Sequence, residues 1–114
     1  MKIYIKSTPA FDRNVTKLMT NEALENFLDY IEENPEQGKP ISGTSGVRKI
    51  RWETGANNKG KSGGVRILYH YSKDVLILLI MAYGKSDKEN ITEAERNQLK
   101  RAVPLLVEKY RGEL

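Results

Sequence analysis

Lys49 and Arg51 stand two residues apart in GVRKIRW, Arg66 opens the run VRILYHY, and Lys85 follows Tyr83-Gly84. Side chains two apart on a strand project to the same face. Lys49 and Arg51 therefore form a pair, Arg66 can lie across from them, and Lys85 follows a further strand. Such a set binds successive phosphates, and it also does chemistry on them. Crowded cations depress one another's pKa, which brings one lysine toward the range of a general base. The others stabilise the charge of a phosphorane-like transition state. A wider group can hold RNA: Lys59 and Lys61 on a glycine loop, Arg48, His70, and Tyr83 as a stacking surface for bases. Tyr69 and Tyr71 are expected to pack in the core instead.

Rival chemistries fit less well. The string GANNKGKS, residues 55–62, satisfies the letter of a nucleotide-binding phosphate loop. That loop must lead into a helix whose amides and dipole face the phosphates. Here it leads into SGGVRILYHY, a strand signature, so the loop reads as the tip of a β-hairpin. With one histidine and no cysteine, a metal site or a two-histidine ribonuclease has too few ligands or bases. A serine triad would have to recruit the same His70 with no nucleophile elbow in view. The plainer reading of His70 is a partly buried, hydrogen-bonded ring.

The elements that must position these side chains follow from periodicity and caps. MKIYI alternates and predicts a short first strand. Thr8-Pro9 predicts an N-cap followed by proline in the first turn. Thr20 predicts a second cap, ahead of Leu24, Phe27, Leu28 and Ile31 at helical spacing. Asn34-Pro35 ends that helix, and residues 36–46 read as a loop. Residues 47–53 alternate, with Ile50 and Trp52 on one face and Lys49 and Arg51 on the other. In the next strand Val65, Ile67, Tyr69 and Tyr71 oppose Arg66, Leu68 and His70. A tight turn at 72–74 leads into the unbroken apolar run 75–83, expected as a central strand covered on both faces. Thr92 and Glu95 have capping-box spacing and open a last helix, which Pro104 should kink or break. The order β-α-α-β-β-β-α makes one α+β domain over residues 1–114, with helices packed on a mainly antiparallel sheet.

Bulk properties agree. A chain of 114 residues, 39% hydrophobic and 30% charged, suits one folded domain with its own core. Net charge is +4, unevenly placed. Residues 46–85 hold eight lysines and arginines (48, 49, 51, 59, 61, 66, 73, 85) against Glu53 and Asp74, a net +6, and the rest holds eleven against thirteen. Charge concentrated in the middle third is what a polyanion-facing surface requires. The lack of cysteine fits a reducing compartment. The longest apolar run is nine residues, against roughly 20 for a membrane-spanning helix, and the start has no signal-peptide pattern.

Taken in order, GVRKIRW, the Gly/Lys loop, GGVRILYHY, LLIMAYGKSDKENIT and the final helix resemble the RelE/ParE superfamily of bacterial toxins, closest to its HigB-type branch. The resemblance runs over residues 1–103 and is most specific in 43–99. It implies a toxin that enters the ribosomal A site and cleaves translated mRNA without a metal or cofactor, by attack of the ribose 2′-hydroxyl on the adjacent phosphate. By position it implies that Lys49 and Arg51 are the basic pair before the loop, serving as base and phosphate ligand. Arg66 then contacts the scissile phosphate and Lys85 is the lysine of the Gly-Lys step. Lys59 and Lys61 would grip ribosomal or messenger backbone. Many ribonucleolytic relatives have a further basic residue after that lysine and an aromatic soon after; here stand Ser86 and Ile91-Thr92, with Tyr83 or a loop lysine as the expected replacement. The resemblance also implies a cytoplasmic protein paired with an antitoxin, usually a helix-turn-helix protein, through which alone it meets operator DNA. A ParE-like gyrase inhibitor and a non-catalytic homologue that only binds antitoxin or RNA share this outline.

Overall fold

The computed structural model describes residues 2–55, 64–73, 75–85, 87–88 and 90–114; Lys59, Lys61 and Ser86 lie outside the described residues. The chain runs β1 (Tyr4–Ser7), α1 (Pro9–Leu18), α2 (Asn21–Glu33), β2 (Lys39–Pro40), β3 (Val47–Trp52), β4 (Val65–Ser72), β5 (Leu76–Gly84), α3 (Glu93–Gly112). The sheet order is β1-β5-β4-β3-β2, with β1 parallel to β5 and the other pairs antiparallel. Each helix starts where its threonine accepts a backbone amide: Thr8 from Phe11, Thr20 from Ala23, Thr92 from Glu95. Pro9 follows its cap because its missing donor costs nothing there.

Two apolar layers sandwich the sheet. On one face α1 and α2 bury Phe11, Val15, Phe27 and Ile31 against Val65, Ile67, Tyr69, Ile77 and Leu79. Trp52 closes this layer, packing edge-on to Phe27 with ring centroids 5.4 Å apart and donating its Nε1–H to the Ala23 carbonyl at 3.1 Å. On the other face Leu99, Val103 and Tyr110 of α3 cover Val47, Leu68, Leu76 and Leu78. β5 is central and buried on both sides, as its unbroken apolar run requires.

Three features depart from the expected outline. Within the expected 36–46 loop, Lys39 and Pro40 pair with Lys49 and Arg48 to make the edge strand β2. In β5, Leu68 pairs with Met81 while Tyr69 pairs with Leu79, so Ile80 is an extra residue. This bulge reverses the alternation beyond it and brings Tyr83 to the α3 face with Leu76 and Leu78, where strict period two would put it on the opposite side. Of the kink or break expected at Pro104, the break is absent, and α3 is one helix through it. Proline has no N–H for the carbonyl four residues back. That carbonyl, of Lys100, instead accepts the Ser45 hydroxyl at 2.9 Å.

Candidate functional site

The register of the three central strands builds the site. Arg51 of β3 pairs with Arg66 of β4, and Arg66 pairs with Tyr83 of β5. Two residues along, Lys49 pairs with Leu68 and Leu68 with Met81. Paired Cα atoms lie roughly 5 Å apart across an antiparallel ladder. Arg51, Arg66 and Tyr83 thus form one row on the α3 face, with Lys49 in the next row. Arg51 is exposed, Lys49 is half-buried, and Lys85 is exposed in the turn after β5. Lys49 donates from Nζ to Asn90 Oδ1 at 2.8 Å, which ties β3 to the segment before α3. Arg66 is only 1% exposed and Tyr83 5%, so together they make the floor of the site. Tyr83 is too covered to act as a stacking surface in this arrangement.

Two other expected RNA contacts lie elsewhere. Arg48 is on the opposite face of β3, and its guanidinium donates to the carbonyls of Glu36 at 3.0 Å and Gly38 at 2.7 Å. It fastens the turn after α2. Tyr69 helps there: its hydroxyl donates to the Pro35 carbonyl at 2.8 Å and accepts the Gly38 amide at 2.9 Å. Burial raises the Tyr69 pKa, with the Gly38 amide opposing. The approach is close enough that a Cβ on Gly38 would stand 2.7 Å from the Tyr69 ring. His70 shares the α3 face with Arg66 but sits four residues along β4, roughly 13 Å away. Its Nδ1–H donates to the Gly46 carbonyl at 3.1 Å. Burial lowers its pKa below 6.5, against hydrogen bonds to Gly46 and Ser45 that raise it.

Lys88 was not singled out by the sequence. The turn after β5, closed by Gly84 N–H to Asp87 Oδ2 at 3.1 Å, carries Lys88 back until its Nζ stands 5.0 Å from the Tyr83 ring centroid. The same ammonium pairs with Oε2 of Glu95, whose Oε1 accepts the Thr92 amide at 2.8 Å. Lys88 first, then that amide, holds the Glu95 carboxyl below its usual pKa. The polar segment 85–90 offered only a second lysine three residues after Lys85 as a signal. Among the described residues no cluster of His, Cys, Asp or Glu could hold a metal ion, and no helix is long and apolar enough to cross a membrane.

Fold and site define a class of small α+β domain, in which a mostly antiparallel sheet carries a row of cations on the face covered by its C-terminal helix. A family model described as the RelE toxin of the RelE/RelB toxin-antitoxin system matches residues 1–113. The chain belongs to this RelE toxin family. It is a toxin whose partner is a cognate antitoxin.

Proposed function

We propose that this toxin is a ribosome-dependent mRNA endonuclease of the HigB-type branch, acting in the cytoplasm and neutralised by a helix-turn-helix antitoxin. Operator DNA meets it only through that antitoxin. The observation that carries the reading is the pairing of Arg51 with Arg66. Cross-strand partners in an antiparallel ladder stand side by side, so two guanidinium-bearing residues share one spot on the α3 face. A place shared by two guanidinium groups suits an RNA phosphate, with Lys49 one row along β3 and Lys85 exposed in the turn after β5.

In this reading the messenger's 2′-oxygen attacks the adjacent phosphorus. Lys49 is the group placed to take the hydroxyl proton; the new bond closes a 2′,3′-cyclic phosphate, the bond to the 5′-oxygen breaks, and that oxygen takes a proton from water. Arg51 holds the phosphate while Arg66 and Lys85 stabilise the charge that builds on its oxygens. Because Arg66 is so well covered, substrate reaches it only as the groups above it part.

The test is purified toxin added to ribosomes translating a defined message, with primer extension to map new 5′ ends. Cuts that need the ribosome and leave cyclic phosphate ends are expected. An intact message, with gyrase-linked DNA breaks in toxin-induced cells, would overturn the reading in favour of a ParE-like inhibitor.

A further inference from the structure

β1 pairs with β5 only over Leu76–Leu79. Its continuation turns away at Thr8, whose amide reaches the Leu79 carbonyl at 3.0 Å and whose hydroxyl reaches the Ile80 carbonyl at 2.8 Å. Beyond that point no described strand pairs with the outer edge of β5. A cavity of about 400 Å³ lies there, lined by Asn14, Lys17 and Leu18 of α1, by Tyr83, and by Asp87 and Lys88 of the following turn. Its size falls within the range of small-ligand sites. Among the described lining residues the one carboxylate, Asp87, already accepts the Gly84 amide, while Lys17 and Lys88 bring two cations. Asn14 offers both a donor and an acceptor, as the edge of a nucleobase requires. Tyr83 belongs both to this cavity and to the row containing Arg66, so one strand of RNA can run from the row into the cavity.

We infer that this cavity is a nucleotide subsite beside the scissile phosphate, with Lys17 and Lys88 holding the neighbouring phosphate and Asn14 facing the base. The inference rests on the endonuclease reading above. Before RNA arrives, Glu95 holds Lys88 over Tyr83; an incoming phosphate takes that ammonium from the carboxylate.

The test is binding of a labelled tetranucleotide whose 2′-oxygens are methylated, so that it cannot be cleaved, followed by anisotropy over a salt series and by amide chemical shifts. Lys17→Ala and Lys88→Ala should each weaken binding and flatten the log–log salt slope by about 0.7–1, the effect of losing one phosphate contact. Lys88→Arg should restore binding. Glu95→Gln keeps the capping box, since glutamine serves in that position, and should bind more tightly than the parent because Lys88 no longer has a competing anion. Shifts should include Asn14 and Leu18. Unchanged slopes in both lysine variants, shifts confined to Arg51 and Lys85, or a peptide of the antitoxin occupying the cavity with no competition from the oligonucleotide would each overturn the subsite. A toxin that cleaves messages while both lysine variants bind as the parent does loses the subsite alone. One that binds through Lys17 and Lys88 yet never cleaves on ribosomes loses the endonuclease reading alone.

Discussion

The two faces of the sheet use the same kinds of residue to opposite ends. On the α1/α2 face, polar groups that enter the core are spent on the backbone: Arg48 on two carbonyls, Tyr69 on a carbonyl and an amide, Trp52 on the Ala23 carbonyl. On the α3 face, Arg66 is set against Arg51 across the ladder, and Lys49 and Lys88 reach only toward the segment that precedes or opens α3. One face ties its polar side chains to the backbone of a turn; the other gathers cations, of which Lys49 and Lys88 are held by the side chains of Asn90 and Glu95.

The largest expected effect comes from removing the floor of the cationic face. Arg66→Ala should lower message cleavage on the order of 10²–10³-fold, the scale for losing one preorganised transition-state donor. Arg66→Lys, which keeps charge and bulk, should recover part of it, and circular dichroism should show both variants folded. Activity near the parental level in a folded Arg66→Ala variant would break the contrast between the faces. Next come the exposed cations: Arg51→Ala and Lys85→Ala should each lower cleavage about 10- to 100-fold, with melting temperature unchanged.

On the other face the expected signs reverse. Tyr69→Phe should cost about 1–3 kcal/mol of stability, because it leaves the buried Gly38 amide unmatched, and Arg48→Ala about 0.5–1.5 kcal/mol, because the carbonyls it releases can reach water. Cleavage per folded molecule should stay at the parental value, and a selective loss of activity in Arg48→Ala would place that residue among the RNA contacts after all. The smallest effect concerns His70. Its folded pKa lies below 6.5, so between that value and 6.5 the unfolded chain binds more protons, and stability falls as pH drops through this window. His70→Gln should flatten urea midpoints across the window, and a parental slope in that variant would show that His70 is not its source.

Much of this was legible in the sequence because the rules that decide it are local. Threonine caps at 8, 20 and 92, the stop at Asn34-Pro35, and the opposed faces of residues 47–52 and 65–71 depend on neighbours within a turn or two. The pairing of Arg51 with Arg66 needed only the two strands to be adjacent. What stayed hidden depends on partners far along the chain. The bulge at Ile80 is a choice made by the β4–β5 register, and it alone brings Tyr83 under Lys88. β2 exists because Lys39 and Pro40 find β3 as a neighbour. Arg48 looked like one more cation of the middle third, and its separation from the others rests on carbonyls of the turn after α2.

Pro104 and Ser45 also set how the protein comes apart. In an ordinary helix the Lys100 carbonyl would be released turn by turn as the end frays. Here its partner is a hydroxyl on the loop that leads into β3, and Arg96 adds a second tie at 2.7 Å to the Ser42 carbonyl of the same loop. The helix covering the cationic face and the approach to the strand that bears Lys49 and Arg51 are therefore cooperative partners in opening. Amides around Leu99 and Val103 should exchange with solvent in step with that of Val47, as one unit.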